Sequence, residues 1–341
     1  MMYLKTKWSM VLLVLMAGLV ESAWSQERET EIRTVWDKAS HNAFPDLIRF
    51  KNHFYAAIRE GNNHMPDKSG QVRLLRSKDG ENWEDVGLLE LADFDVREAR
   101  LSVTPEGRIM VLTAVGVYDK GYQELFPMVS FSDKSGLNFS NLTRTTMDIS
   151  PSLDWIWSLT WHKKVGYGVI YQIKEGGWET HLLKTVDGKH FEWVSQIDTG
   201  GNPNEATIRF DKKGKMYVLV RREADDQMGM IASADFPYKD WEFSRLSIRL
   251  GGPNFLFLNK DQLVIGSRYH QPGGPKTAIF TSDLDSNFQS TIVLPSGGDT
   301  SYPGMIFHKN HLWVMYYSSH EEKSKIYLTQ IPINQLKPSN Q

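Results

Sequence analysis

Ser77-Lys78-Asp79-Gly80-Glu81-Asn82-Trp83 reads as a tight turn between two strands, and the pattern recurs along the chain. Its aspartate accepts backbone N–H groups just ahead of it, its glycine relaxes the turn, and its tryptophan packs back onto the strands. Related pieces are Ser132-Asp133 with Phe139, Thr185-Val186-Asp187-Gly188-Lys189-His190-Phe191, Ser233-Ala234-Asp235 with Trp241, and Thr281-Ser282-Asp283 with Phe288. The aspartates at 79, 133, 187, 235 and 283 are separated by 54, 54, 48 and 48 residues. Repetition at roughly fifty residues marks an array of stacked units.

Ahead of each turn, two short segments read as strands joined by a polar turn. The pairs are Asp46–Arg49 with Phe54–Arg59, Arg100–Val103 with Ile109–Ala114, and Ile156–Trp161 with Gly168–Ile173. They continue with Ala206–Phe210 and Met216–Arg221, Asn254–Leu258 and Leu263–Arg268, and Gly304–Phe307 and Leu312–Tyr317. Six such pairs predict an all-β fold, a six-bladed β-propeller of four-stranded antiparallel blades. The sixth repeat has a third strand, Lys325–Gln330, but no aspartate turn after it. Ile32–Trp36 is expected to supply the missing outer strand and close the ring. No linker interrupts the repeats, so residues 26–341 are expected to form one domain.

Lys5 and Lys7, the apolar run from Trp8 to Val20, and Ala23-Trp24-Ser25 read together as a signal peptide over residues 1–25. Export to the periplasm or beyond is the expectation. The chain has no cysteine, which excludes a disulfide framework and lipid attachment through a thiol. Stability must come from packing, for which roughly 315 residues are ample. The net charge of −2 becomes −3 without Lys5, Lys7 and Glu21, and no basic stripe appears. Nucleic acid and anionic membranes are therefore not expected as partners, and no membrane insertion is expected once the leader is gone. The mature chain is expected to act as a monomer on a glycan.

The Ser77–Trp83 turn resembles the Asp-box of the sialidase superfamily, and the resemblance covers nearly all of the chain after the leader. Asn204-Glu205-Ala206-Thr207, followed by Gly214 and Met216–Arg221, is similar to the sialidase segment carrying a glutamate and a second substrate-binding arginine. Ser301-Tyr302-Pro303-Gly304-Met305, followed by Leu312–Tyr317, is similar to the segment carrying the nucleophilic tyrosine. Asp67 stands where the acid/base aspartate stands. The resemblance implies an exo-acting glycoside hydrolase that removes an acidic or decorated terminal sugar, with Tyr302, Glu205 and Asp67 catalytic. A phenol, with a pKa of about 10, needs a neighbouring carboxylate to take its proton as it attacks. One departure argues against sialic acid itself: where sialidases begin the first blade with a carboxylate-binding arginine, this chain has Phe44-Pro45-Asp46-Leu47.

Propeller geometry turns equal blade positions into ring neighbours. Counting seven residues on from the inter-strand turn gives Arg59, Arg221 and Arg268, a candidate clamp for a carboxylate or sulfate. The alternative is three strand-end arginines paired to acids such as Glu60 and Glu223. The starts of the first strands give a second ring of Asp46, Glu98, Trp155 or Trp157, Glu205, Asn254 and Tyr302, which suits a sugar. Against that, Asp46 can cap a turn and Glu98 can pair with Arg97 or Arg100. His64, on the same loop as Asp67 (61–70), is a competing acid and a substrate contact. The ten histidines are scattered, with no His-Glu-x-x-His run, no calcium loop and no glycine-rich phosphate loop. No metal and no cofactor are therefore expected. Two rival readings remain open: a polysaccharide lyase acting beside a uronate, and a non-catalytic carbohydrate-binding propeller.

Overall fold

The computed structural model describes residues 31–337, so the leader expected at residues 1–25 lies outside the described residues. Its strands form six four-stranded antiparallel sheets around one axis, a six-bladed β-propeller. In blade one, His41–Phe50 is followed outward by His53–Gly61, Gln71–Ser77 and Trp83–Leu89. The inner strands of blades two to six are Asp95–Val103, Leu153–His162, Pro203–Phe210, Asn254–Phe257 and Thr300–His308. Blade six continues with His311–Glu321 and Lys323–Pro332, and Ile32–Trp36 pairs antiparallel to the latter. The ring is thus closed by a strand from the beginning of the described chain, as its position in the sequence predicts.

Patterning explains which strands lie where. Ile109–Tyr118 is covered on both faces and reads as a nearly unbroken apolar run. Phe288–Val293, at a blade's outer edge, alternates half-buried and exposed residues. Between blades one and two, Phe50, Val72 and Leu74 pack against Val96, Leu101 and Phe126. Similar apolar layers fill the following interfaces. Each fully buried side chain of this kind contributes roughly 1.5–3 kcal/mol.

The recurring turns behave as their chemistry requires. Asp79 Oδ1 accepts the N–H groups of Glu81 and Asn82 at 2.8 and 2.9 Å, and Trp83 Nε1 donates to Gly80 O at 3.1 Å. Asp187 and Asp283 repeat the pattern. At 235 the turn is closed by the backbone, with Tyr238 N donating to Asp235 O at 2.7 Å. Gly80 has φ +84°, and an added Cβ would lie 2.3 Å from Trp313 of blade six. Gly80→Ala is therefore expected to cost about 2–4 kcal/mol, from left-handed strain plus overpacking, as read by urea unfolding.

The inner strands bend in a way that builds the mouth of the channel. In blade one Ala43 pairs with Arg59 and Asp46 with Ala57, leaving Phe44-Pro45 as a bulge. Glu98-Ala99 and Tyr302-Pro303 bulge identically in blades two and six. Phe44, Glu98 and Tyr302 take φ of 53°, 53° and 55° there, a left-handed backbone that costs on the order of 1–3 kcal/mol per residue. Bulges re-aim side chains, and these aim theirs at one mouth. Asp46 and Asn254 stand after the bulge level and so leave the ring in which the sequence places them. Asp46 Oδ2 accepts Leu101 N of blade two at 2.7 Å, and Asn254 Nδ2 donates to Pro303 O of blade six at 3.0 Å. Both stitch neighbouring blades together, beside a channel cavity of about 320 Å³ to which all six inner strands contribute.

Candidate active site

Tyr302 Oη donates to Glu205 Oε1 at 2.5 Å, across 97 residues of sequence and from blade six to blade four. The same oxygen meets Arg221 Nη1 at 2.7 Å, while Glu205 Oε2 accepts Gly252 N at 2.6 Å. Gly252 occupies the bulge level of blade five at φ +60°, and a Cβ there would sit 2.5 Å from the Tyr302 ring. Its bare backbone lets the ring and the N–H donor share one space. Phe44 at 4.8 Å and Trp157 at 5.7 Å flank the tyrosine, and the Arg268 guanidinium lies 5.9 Å from its ring centre.

Burial drives the charge states apart. Burial pushes the Tyr302 phenol well above its ordinary value, and Glu205 and Glu98 push it further, so it remains protonated. Burial also raises Glu205, but Arg221, the Tyr302 hydroxyl and Gly252 N–H outweigh it and hold the carboxyl below its usual range. Glu98 goes the other way. Burial, with the negative charge of Glu205 beside it, raises it to about 7 in spite of Arg97. One carboxylate is ionised and one is poised near neutrality, the arrangement that divides base and acid roles between two like groups.

The three-arginine clamp is corrected in two members: Arg221 is paired with Glu205 and with Glu223, the alternative the sequence offered, and Arg59 is captured by Asp95. Arg59 is fully buried and donates to Asp95 Oδ1 from Nε and Nη2 at 3.0 and 2.7 Å, and to Asn63 O at 2.9 Å. The buried Asp95 carboxylate, supplied by blade two, takes its charge. Arg97 donates to His64 O at 3.0 Å, so these two arginines hold the 61–70 loop by its backbone. Arg221 and Arg268 do remain at the mouth, and Arg249 joins them through Glu223. His270, among Arg249, Arg268 and Arg221, is lowered to about 4 by burial and by those charges. Arg59→Ala is expected to destabilise the fold by about 3–5 kcal/mol, because Asp95 loses its main partner. Arg268→Ala is expected to leave urea stability within about 1 kcal/mol and to raise KM for an anionic substrate about 10- to 100-fold.

The remaining sequence candidates separate. Asp67 is turned to its own loop: Oδ1 accepts Ser69 N at 2.8 Å and Oδ2 accepts the Asn63 amide at 3.2 Å. It shares no hydrogen bond with the Tyr302–Glu205 pair. Glu98 and Trp157 lie buried beneath the mouth, Trp157 at 5.7 Å from the Tyr302 ring, and among the described residues Glu98 Oε2 and Trp157 Nε1 have no hydrogen-bond partner. His64 lies beside Phe44, 5.2 Å between ring centres. Its Nδ1 meets Asp299 Oδ2 at 2.8 Å, and His41 Nε2 meets the same oxygen at 2.9 Å. Arg97 does pair with Glu98, its Nε donating to Oε1 at 3.2 Å, as the alternative reading of Glu98 had it; Asp299, His41 and Arg249 were not found by sequence reasoning, since none stands in a repeated motif.

No family model and no curated protein matches the sequence. Solved structures do. A Dyadobacter fermentans protein of unknown function is 17% identical with a TM-score of 0.76, over 89% of this chain and 98% of that one. The Hadza microbial sialidase Hz136 is 13% identical at TM-score 0.70, over 88% of this chain and 67% of that one. The α-L-arabinofuranosidase Arb93A from Fusarium graminearum is 11% identical at TM-score 0.70, over 90% and 99%. The chain therefore has the propeller fold found in sialidases and in this arabinofuranosidase.

Proposed function

We propose that this protein is an exported glycoside hydrolase that cleaves a terminal sugar bearing an anionic group. The observation that carries the reading is the Tyr302–Glu205–Arg221 chain of hydrogen bonds. A binding site has no need of a base at 2.5 Å from a buried phenol. In this reading Tyr302 attacks the anomeric carbon while Glu205 takes its proton, and Arg221 steadies the carboxylate. Glu98 takes the proton-donor role expected of Asp67, because burial raises it to about 7 and it lies close enough to Tyr302 to act on the phenol. The unpartnered Glu98 Oε2 and Trp157 Nε1 suit sugar hydroxyls, while the Trp157 ring itself is buried under the Arg100 guanidinium at 4.6 Å. Arg268 and Arg249 supply the positive edge for a carboxylate or sulfate. The glycosidase names among the structural neighbours agree with this reading.

The test is a panel of acidic glycans digested in water enriched in oxygen-18, with products resolved by mass. Hydrolysis adds one labelled water to the released sugar. A product lighter by that water identifies a lyase, and binding without products identifies a lectin.

A further inference from the structure

We propose that His41, His64 and Asp299 form a site for a divalent transition-metal ion of the zinc class, at the rim of the candidate active site. The three residues come from different segments: the start of the inner strand of blade one, the 61–70 loop, and the approach to blade six. They nevertheless bring His41 Nε2, His64 Nδ1 and Asp299 Oδ2 within 4.8 Å of one another. Two imidazoles and one carboxylate are a donor set that suits zinc, copper or nickel rather than calcium or magnesium. Three protein ligands leave at least one position for water or a ligand oxygen.

The surroundings favour ligation as well as hydrogen bonding. Tyr317 Oη donates to Asp299 Oδ1 at 2.6 Å, which orients the carboxylate and leaves Oδ2 for the ion. The N···O separations of 2.8 and 2.9 Å open to about 3.3 Å when all three atoms bind one ion at ordinary zinc distances. That shift of about half an ångström is small for His64, whose side chain is 43% exposed on a loop. The rim is reachable from solvent, since the Asp299 side chain is 26% exposed. Arg268 Nη2 stands 3.9 Å from Asp299 Oδ1, and the Phe44 ring lies 5.2 Å from His64 and 4.8 Å from Tyr302. A bound cation thus adds positive charge to the edge that already carries Arg268.

The test uses the full chain after dialysis against a chelator, titrated with zinc alone by calorimetry and with cobalt(II) alone by visible absorption. The expected result is one ion per chain with Kd on the order of 10 µM or tighter. His64→Ala and Asp299→Asn are each expected to weaken it at least about 100-fold, with the circular dichroism of His64→Ala unchanged. Tyr302→Phe is expected to bind zinc as the parent does, which separates this inference from the glycosidase reading. Absence of binding at millimolar free zinc overturns the proposal. So does equal binding by the parent and His64→Ala.

Discussion

Tyr302→Phe is expected to lower kcat on a verified glycan by about 10³-fold or more while leaving binding within a few-fold of the parent. The change removes one oxygen. The ring keeps its contacts with Phe44 and Trp157, and Glu205 keeps Arg221 and Gly252 N–H, so the fold has little to lose. In the proposed mechanism, what disappears is the nucleophile. Near neutral pH the buried phenol is protonated and therefore inert alone. In that mechanism attack becomes feasible because the proton passes along the 2.5 Å bond to Glu205, whose own charge Arg221 stabilises. A neutral nucleophile also avoids repulsion from the anion on the substrate. Steady-state kinetics with calorimetric binding of the same glycan checks both halves. Near-normal turnover by this variant is incompatible with the tyrosine mechanism.

Glu98→Gln carries the second large effect, a loss of about 10²- to 10⁴-fold on substrates with poor leaving groups. Glu98 faces Arg97 and Arg100, which favour its charge, and Glu205, which opposes it; His64 and the phenols of Tyr302, Tyr122, Tyr171 and Tyr317 also lie in its field. Burial dominates and sets it at about 7. An acid donates only while protonated, so the parent's kcat/KM falls as pH rises through about 7. In Glu98→Gln that alkaline limb should flatten, and activated aryl glycosides should lose the least, since they need little protonation. Folding stability follows the same sign. The folded-state value lies above the ordinary 4.5, so this carboxyl's contribution is present at low pH and lost as pH rises toward about 7. If instead Asp67→Asn abolishes the limb and Glu98→Gln keeps it, the donor is Asp67.

The blades were legible because a propeller repeats its local chemistry. An aspartate turn after the third strand of five blades and an alternating edge strand are signals within a few residues of one another, and Ile32–Trp36 completes the set in the sixth. The Tyr302–Glu205 pair was legible too, since the resemblance fixed both residues and the ring geometry allowed them to meet. What failed was the assumption that equal counts along a strand give equal roles. Arg59 and Arg268 share that count, yet the buried Asp95 from the next blade captures Arg59. The bulge at Phe44 likewise moves the ring up by two residues in blade one, which demotes Asp46 to a blade-to-blade tie. The His41–Asp299 contact joins residues 258 apart and belongs to no repeat, so no spacing rule reaches it.

The central claim is that Tyr302 bonds covalently to the sugar during turnover. A fluorosugar matching the verified substrate, with fluoride as its leaving group, tests it most directly. Fluoride departs without an acid, and the ring fluorine slows release of the enzyme-bound sugar. Intact mass should show one sugar added per chain, and peptide mapping should place it on the fragment containing Tyr302. Tyr302→Phe should remain unlabelled. Label on Glu205 or Glu98, or steady release of fluoride with no adduct on Tyr302, contradicts the mechanism.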